Sequence, residues 1–167
     1  MERLYKQSIG SPIIADDIKA PVAILRDFVV DCEKGKIVAL VVNKRRNLIV
    51  TEQDISGYEF FPRIKGDDCI IEGVDVVRVY EIQKKGLFLI GNRVVTEKGK
   101  YLGVCEDFSF DDTEFRIKKI FVSRRILHFF SVEDRIIPLE DIVEVKKSKI
   151  IVKDDLVAEK QTSMVGA

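Results

Sequence analysis

The sequence predicts an all-β protein made of two small closed β-units in tandem. Three observations carry this expectation. An apolar pattern recurs at an offset of 80 residues, Asp27 to Asp107 and Asp31 to Asp111. Runs of β-branched and aromatic residues have the length of strands, and no long stretch keeps a helical period. The chain has 167 residues, 46% apolar and 34% charged, which excludes a disordered chain and is enough for one sizeable core or two small ones. Lys plus Arg (28) balances Asp plus Glu (28), and such cancellation argues against a general polyanion binder.

Taken in order, Ile9-Gly10 aligns with Ile90-Gly91, and Ile13-Ile14 with Val94-Val95. Asp27-Phe28-Val29-Val30-Asp31 then matches Asp107-Phe108-Ser109-Phe110-Asp111, and Lys36 to Arg45 matches Arg116 to Arg125 without a gap. Ile24–Val30 and Lys36–Val42 read as strands joined by the polar, Gly-containing Asp31–Gly35, a hairpin signal. Asp111–Glu114 takes the same place in the second copy, where Asp tolerates the turn backbone that Gly35 serves in the first. Downstream, Phe61-Pro62 is aligned with Ile137-Pro138, Asp67–Ile70 with Glu140–Val143, and Val77 and Val79 with Ile150 and Val152, and Ile142, Val143, Val145 and Ile150–Val152 are expected in strands. The copies span 1–80 and 87–155, a linker lies near Glu81–Gly86, and 156–167 is expected to be a flexible polar tail. Phe60, Phe61, Phe108, Phe110, Phe121, Phe129 and Phe130 are expected to supply the aromatic mass of the two cores.

Little chemistry is signalled. Cys32, Cys69 and Cys105 are odd in number and widely spaced, with no CxxC pair and a single His, so a metal site is not expected. Free thiols, together with the lack of a secretory segment and of any apolar run near 20 residues, point to the cytoplasm with no membrane anchor in this chain. His128 sits in the apolar run Leu127-His128-Phe129-Phe130 with no nucleophile elbow anywhere, and no glycine-rich phosphate cradle occurs. The repeated acids Asp27, Asp31, Asp107 and Asp111 read as turn residues, since a single catalytic site seldom needs duplicating. The chain is therefore expected to be no enzyme and to use no cofactor.

The second copy resembles the PRC-barrel family, small β-barrels named for the cytoplasmic domain of the photosynthetic reaction-centre H subunit. The residues that carry the resemblance are Val94-Val95, the Lys98-Gly99 turn, Tyr101-Leu102-Gly103-Val104, Asp107-Phe108, Asp111, Ile120-Phe121-Val122, Ile136-Ile137-Pro138 and Ile142. The first copy keeps Asp27, Asp31, Gly35 and Phe61-Pro62 but has Ala20-Pro21-Val22-Ala23 where Leu-Gly falls. The resemblance implies two PRC-type barrels without a shared active site, a module that docks a protein or a second copy of itself. The family also supplies the C-terminal domain of a bacterial factor that matures 16S ribosomal RNA, so an RNA- or ribosome-associated role is the alternative.

Two sets of residues are the expected partner contacts. Neighbouring strand residues point to opposite faces, so one of Phe129 and Phe130 leaves the core and offers an anchor. Lys44-Arg45-Arg46 and Arg124-Arg125 fall at matching strand ends and form the basic edge that the RNA alternative would use.

Overall fold

The computed structural model describes residues 1–126 and 131–157. His128, Phe129, Phe130 and the tail from Ala158 lie outside the described residues. The chain divides into two compact units. The first comprises Met1–Gly86 together with Phe110–Ile117; the second comprises Leu87–Ser109 and Lys118–Ala167. The expected break near Gly86 is present, but the units are not the contiguous blocks 1–80 and 87–155, because the hairpin tip 110–117 belongs to the first.

In the first unit, β1 (Glu2–Leu4) and the single turn α1 (Tyr5–Ser8) precede β2 (Pro12–Ala15), β3 (Ala20–Ile24), β4 (Asp27–Asp31), β5 (Lys36–Asn43), β6 (Leu48–Thr51), β7 (Ile55–Tyr58) and β8 (Pro62–Ile64). A short β9 (Ile71–Glu72) and the helix α2 (Val77–Lys85) complete it. The strands form two four-stranded sheets, β3-β2-β8-β7 and β4-β5-β6-β9. The sheets part at Leu25-Arg26, where the chain crosses from one to the other: Leu25 N–H donates to the Ser11 carbonyl (2.9 Å) and Arg26 N–H to the Val41 carbonyl (2.8 Å).

Alternation then builds the core. Phe28, Leu40 and Val50 stand opposite one another across β4, β5 and β6, and all are buried. The other face packs Val29, Val38, Ala39, Val41 and Ile49 beneath Val79, Val76 and Ile82. Phe110 closes the core, its ring edge-on to Phe28 at 5.1 Å and to Tyr58 at 6.3 Å. Arg3 holds this arrangement: its Nε donates to the buried Asp112 (2.6 Å), its guanidinium lies 4.1 Å over the Tyr58 ring, and it also donates to the Glu59 carbonyl.

The helix α2 departs from the all-β expectation, and Val77 and Val79, aligned in sequence with Ile150 and Val152 of the later strand Lys149–Val152, lie in it. Its β-branched residues favour strand locally, but Val76, Val79 and Ile82 recur at helical spacing and bury one face against the β4-β5-β6 sheet. Gly86 ends it in the left-handed conformation (φ 63°), its N–H donating to the Gln83 carbonyl at 3.1 Å. Phe60 and Phe61 also depart from the core assignment, because they form the turn between β7 and β8 and are exposed.

The second unit contains β10 (Arg93–Thr96), β11 (Tyr101–Asp111), β12 (Ile117–Ile126), β13 (Ser131–Pro138), β14 (Ile142–Val145) and β15 (Lys149–Val152). Their order is β13-β12-β11-β10-β15-β14. Val94, Leu102, Phe108, Ile120, Val122, Ile137, Ile150 and Val152 are among its buried residues. Phe121, expected in the core, is half-buried, because it faces away from its buried neighbours Ile120 and Val122. At Gly103 the backbone has φ 137° and lies so close to the Ser123 carbonyl that a Cβ would overlap it.

Each unit pairs its strands in the same sense. β2 and β8 run parallel, as do β10 and β15. The β2–β3 ladder slips between Ile13 and Ile14, the β10–β11 ladder between Val94 and Val95. The β7–β8 ladder slips between Ile55 and Gly57, the β14–β15 ladder between Ile142 and Glu144. Leu139–Asp141 forms a 3-10 turn before β14 as Glu52–Asp54 does before β7, so Ile137-Pro138 corresponds to Val50-Thr51 and not to Phe61-Pro62. The expected closed barrels are not formed by the described pairings: the first unit's strands split between two sheets, and the second's path ends on β13 and β14. A further 3-10 turn spans Asp154–Val157, so the expected tail does not begin at residue 156.

Candidate docking surface

The most exposed aromatic residues of the first unit lie in the β7–β8 turn. Pro62 opens β8 with its φ preset and no N–H to pair. The preceding Glu59-Phe60-Phe61 must therefore make the turn, and Phe60 is left 87% exposed and Phe61 42% exposed. A pocket of about 270 Å³ opens beside them, lined by Ile14, Asp16, Lys19, Glu59, Phe60, Phe61 and Arg63.

A polar clamp holds the floor of this pocket. The parallel register sets Arg63 beside Ile14, next to Asp16. Arg63 reaches Asp16 Oδ1 through Nε (2.8 Å) and Nη2 (2.7 Å), and Glu59 Oε1 through Nη1 (2.9 Å). Ser56 Oγ also donates to Asp16. The Ser56 hydroxyl and the Arg63 guanidinium together hold the Asp16 carboxyl below its ordinary value, and Asp16 in turn raises Arg63. Asp16 and Arg63 are therefore matched to each other, and each favours its ionised form. The turn presents two aromatic side chains beside the paired Asp16, Arg63 and Glu59, which suits recognition of an apolar group.

The other predicted residues fall elsewhere. Asp31 is buried and its Oδ1 accepts the Glu33 and Lys34 amides (both 3.2 Å); Asp111 Oδ1 accepts those of Thr113 (2.9 Å) and Glu114 (2.8 Å). Asp27 and Asp107 each accept the next residue's amide, from Phe28 and Phe108 (both 2.9 Å). Asp27 further accepts from the Tyr5 hydroxyl (2.9 Å) and pairs with Lys44 (2.9 Å).

Lys44-Arg45-Arg46 occupies the β5–β6 turn, whereas Arg124-Arg125 lies within β12, so the two clusters are not at matching strand ends. The longer β12 ladder, which runs from Lys119 opposite Pro138 to Ile126 opposite Ser131, carries them past the point where β5 turns. Cys105 is buried, while Cys32 and Cys69 are half-buried. Burial pushes the Cys32 thiol up to about 12, and the charges of Asp31 and Glu33 add to the shift. Among the described residues, no group of three or more His, Cys, Asp or Glu is placed to hold a metal ion.

Sequence reasoning missed the Phe60–Phe61 turn as a surface. The only local signal was Pro62, since the clamp joins residues of β2 and β8 that are far apart in the chain. No helix among the described residues is long and apolar enough to cross a membrane. Among curated proteins, none matches the chain. Residues 89–157, which include most of the second unit, match the PRC-barrel domain family, and that match does not reach Met1–Gly86.

Proposed function

We propose that the chain is a pair of like PRC-type units acting as a non-catalytic docking protein, with the Glu59–Phe61 turn as its anchor. The observation that carries the reading is the exposure of Phe60 and Phe61 beside the mutually paired Asp16, Arg63 and Glu59. An exposed aromatic pair gains most from a partner that buries it, and the fold does not use it. The pairing senses and ladder slips shared by the two units support the tandem reading beyond the matched residues 89–157. The partner we propose is a protein segment that inserts an apolar side chain beside Phe61 and Ile14.

The test replaces Phe60 with a photo-crosslinking phenylalanine analogue in cells and identifies the adduct. A single protein partner is expected, and purified partner should bind the Phe61→Ser variant at least about tenfold more weakly, the loss of one buried aromatic anchor. Thermal unfolding of that variant should match the parent. No adduct, or adducts with ribosomal RNA alone, would overturn the docking reading and, in the second case, favour the ribosomal alternative.

A further inference from the structure

Three arginines of the first unit and two of the second are held in different ways. In the first, Arg3, Arg63 and Arg78 each hold a carboxylate: Asp112, Asp16 and Glu52. In the second, Arg93 and Arg124 instead converge on one ring, their guanidinium carbons 5.2 and 5.5 Å from the Tyr101 centroid. Arg124 also donates to the Tyr101 carbonyl at 3.4 Å. Lys149 lies directly beside Arg93 in the parallel β10–β15 register, which sets both side chains on one face. Arg93 and Lys149 are exposed, and Arg124 is half-buried. Among the described residues, none of the three has a carboxylate within ion-pair distance.

We infer that Arg93, Arg124 and Lys149, ordered around Tyr101, form an anion-binding site for a carboxylate-rich segment of a partner protein. Cation–π contact holds the two guanidiniums in place, and apart from the Arg124 bond to the Tyr101 carbonyl no hydrogen bond uses their N–H groups among the described residues. A carboxylate reaching them makes charge-assisted hydrogen bonds without first breaking an internal ion pair and without ordering flexible side chains. The track is short, and the Tyr101 ring is covered by guanidinium and so is not a free stacking platform. Both features favour an acidic peptide over a nucleic acid, which rewards a long run of cations and open aromatic faces. This site shares no residue with the Phe60–Phe61 turn, and neither reading depends on the other.

The probe is fluorescein-labelled hexaglutamate, titrated by anisotropy against the full chain at low ionic strength, with labelled oligothymidine as the competing class. Hexaglutamate is expected to bind, to weaken as salt rises, and to weaken at least about tenfold in Arg93→Gln, whose side chain is exposed and leaves the fold intact. Arg93→Gln/Arg124→Gln should abolish binding, while Lys44→Gln/Arg45→Gln/Arg46→Gln should leave it unchanged. Equal binding by Arg93→Gln and the parent, equal loss in the Lys44–Arg46 variant, no binding of hexaglutamate by the parent, or tighter binding of oligothymidine would each overturn the assignment.

Discussion

The two units place different coverings over the same ladder. In the first, Val41 stands opposite Ile49 and both are buried beneath α2. In the second, Phe121 stands opposite Ile136 in the corresponding pair, with Phe121 half-buried and Ile136 61% exposed. Val29, under the helix, has Ser109 as its counterpart, and Ala23 in β3 has Gly103 in β11. The difference teaches that similar strand pairing and bulge positions leave open which sheet faces are buried. The helix after β9 turns one sheet face of the first unit into core, whereas the second unit's β12–β13 face carries an exposed isoleucine.

The sharpest way to break the comparison is Phe110→Ala. The residue follows directly from the second unit's long strand, yet its ring lies against Phe28 and Tyr58. The substitution is expected to cost about 3–5 kcal/mol, as for other buried aromatic truncations. Hydrogen exchange should lose protection mainly across Met1–Gly86, and loss confined to Leu87–Ser109 would contradict the division.

Next comes Gly103→Ala, where a positive φ and overlap with the Ser123 carbonyl combine. A loss of about 2–4 kcal/mol is expected in denaturant unfolding, the range of a strained backbone plus a steric clash. The reverse change in the first unit, Ala23→Gly, should cost only about 0.5–1 kcal/mol.

Ser109→Ala runs the other way. The Ser109 hydroxyl is fully buried and has no hydrogen-bond partner among the described residues. Removing it is expected to stabilise the chain by about 1 kcal/mol, seen as a raised melting temperature.

The smallest effect concerns Cys32. With its thiol raised to about 12 from 9.0, Cys32 should alkylate far more slowly at pH 8 in the native chain than in the denatured one, as mapped by mass spectrometry. Because the folded state holds this proton more tightly, its contribution to stability is complete below pH 9 and is lost as pH rises toward 12. An unfolding midpoint that stayed level from pH 9 to 11 in the parent but fell in Cys32→Ser would contradict it.

Much of the strand framework was legible. The offset between Asp27 and Asp107 held through Asn43 because β4, β5, β11 and β12 have nearly equal hairpins, with Asp31 and Asp111 bonding their own turn amides. Past that point the alignment slipped, because β6 and β13 differ in length and only the 3-10 turns at Glu52 and Leu139 restore the register. The helix α2 was missed because its valines favour strand until a sheet face is there to bury them. Phe60 and Phe61 read as core because apolar character alone does not reveal which residues a turn expels.

By itself, the sequence determined the β-rich class, the hairpins at Asp31 and Asp111 and the family match over 89–157, since these rest on alternation and on bonds between near neighbours. Only the tertiary structure decided that Arg63 meets Asp16, that Arg93 and Arg124 meet at Tyr101, and that Phe110 serves the first unit. Those contacts depend on parallel and long-range pairing, which no local pattern of side chains encodes.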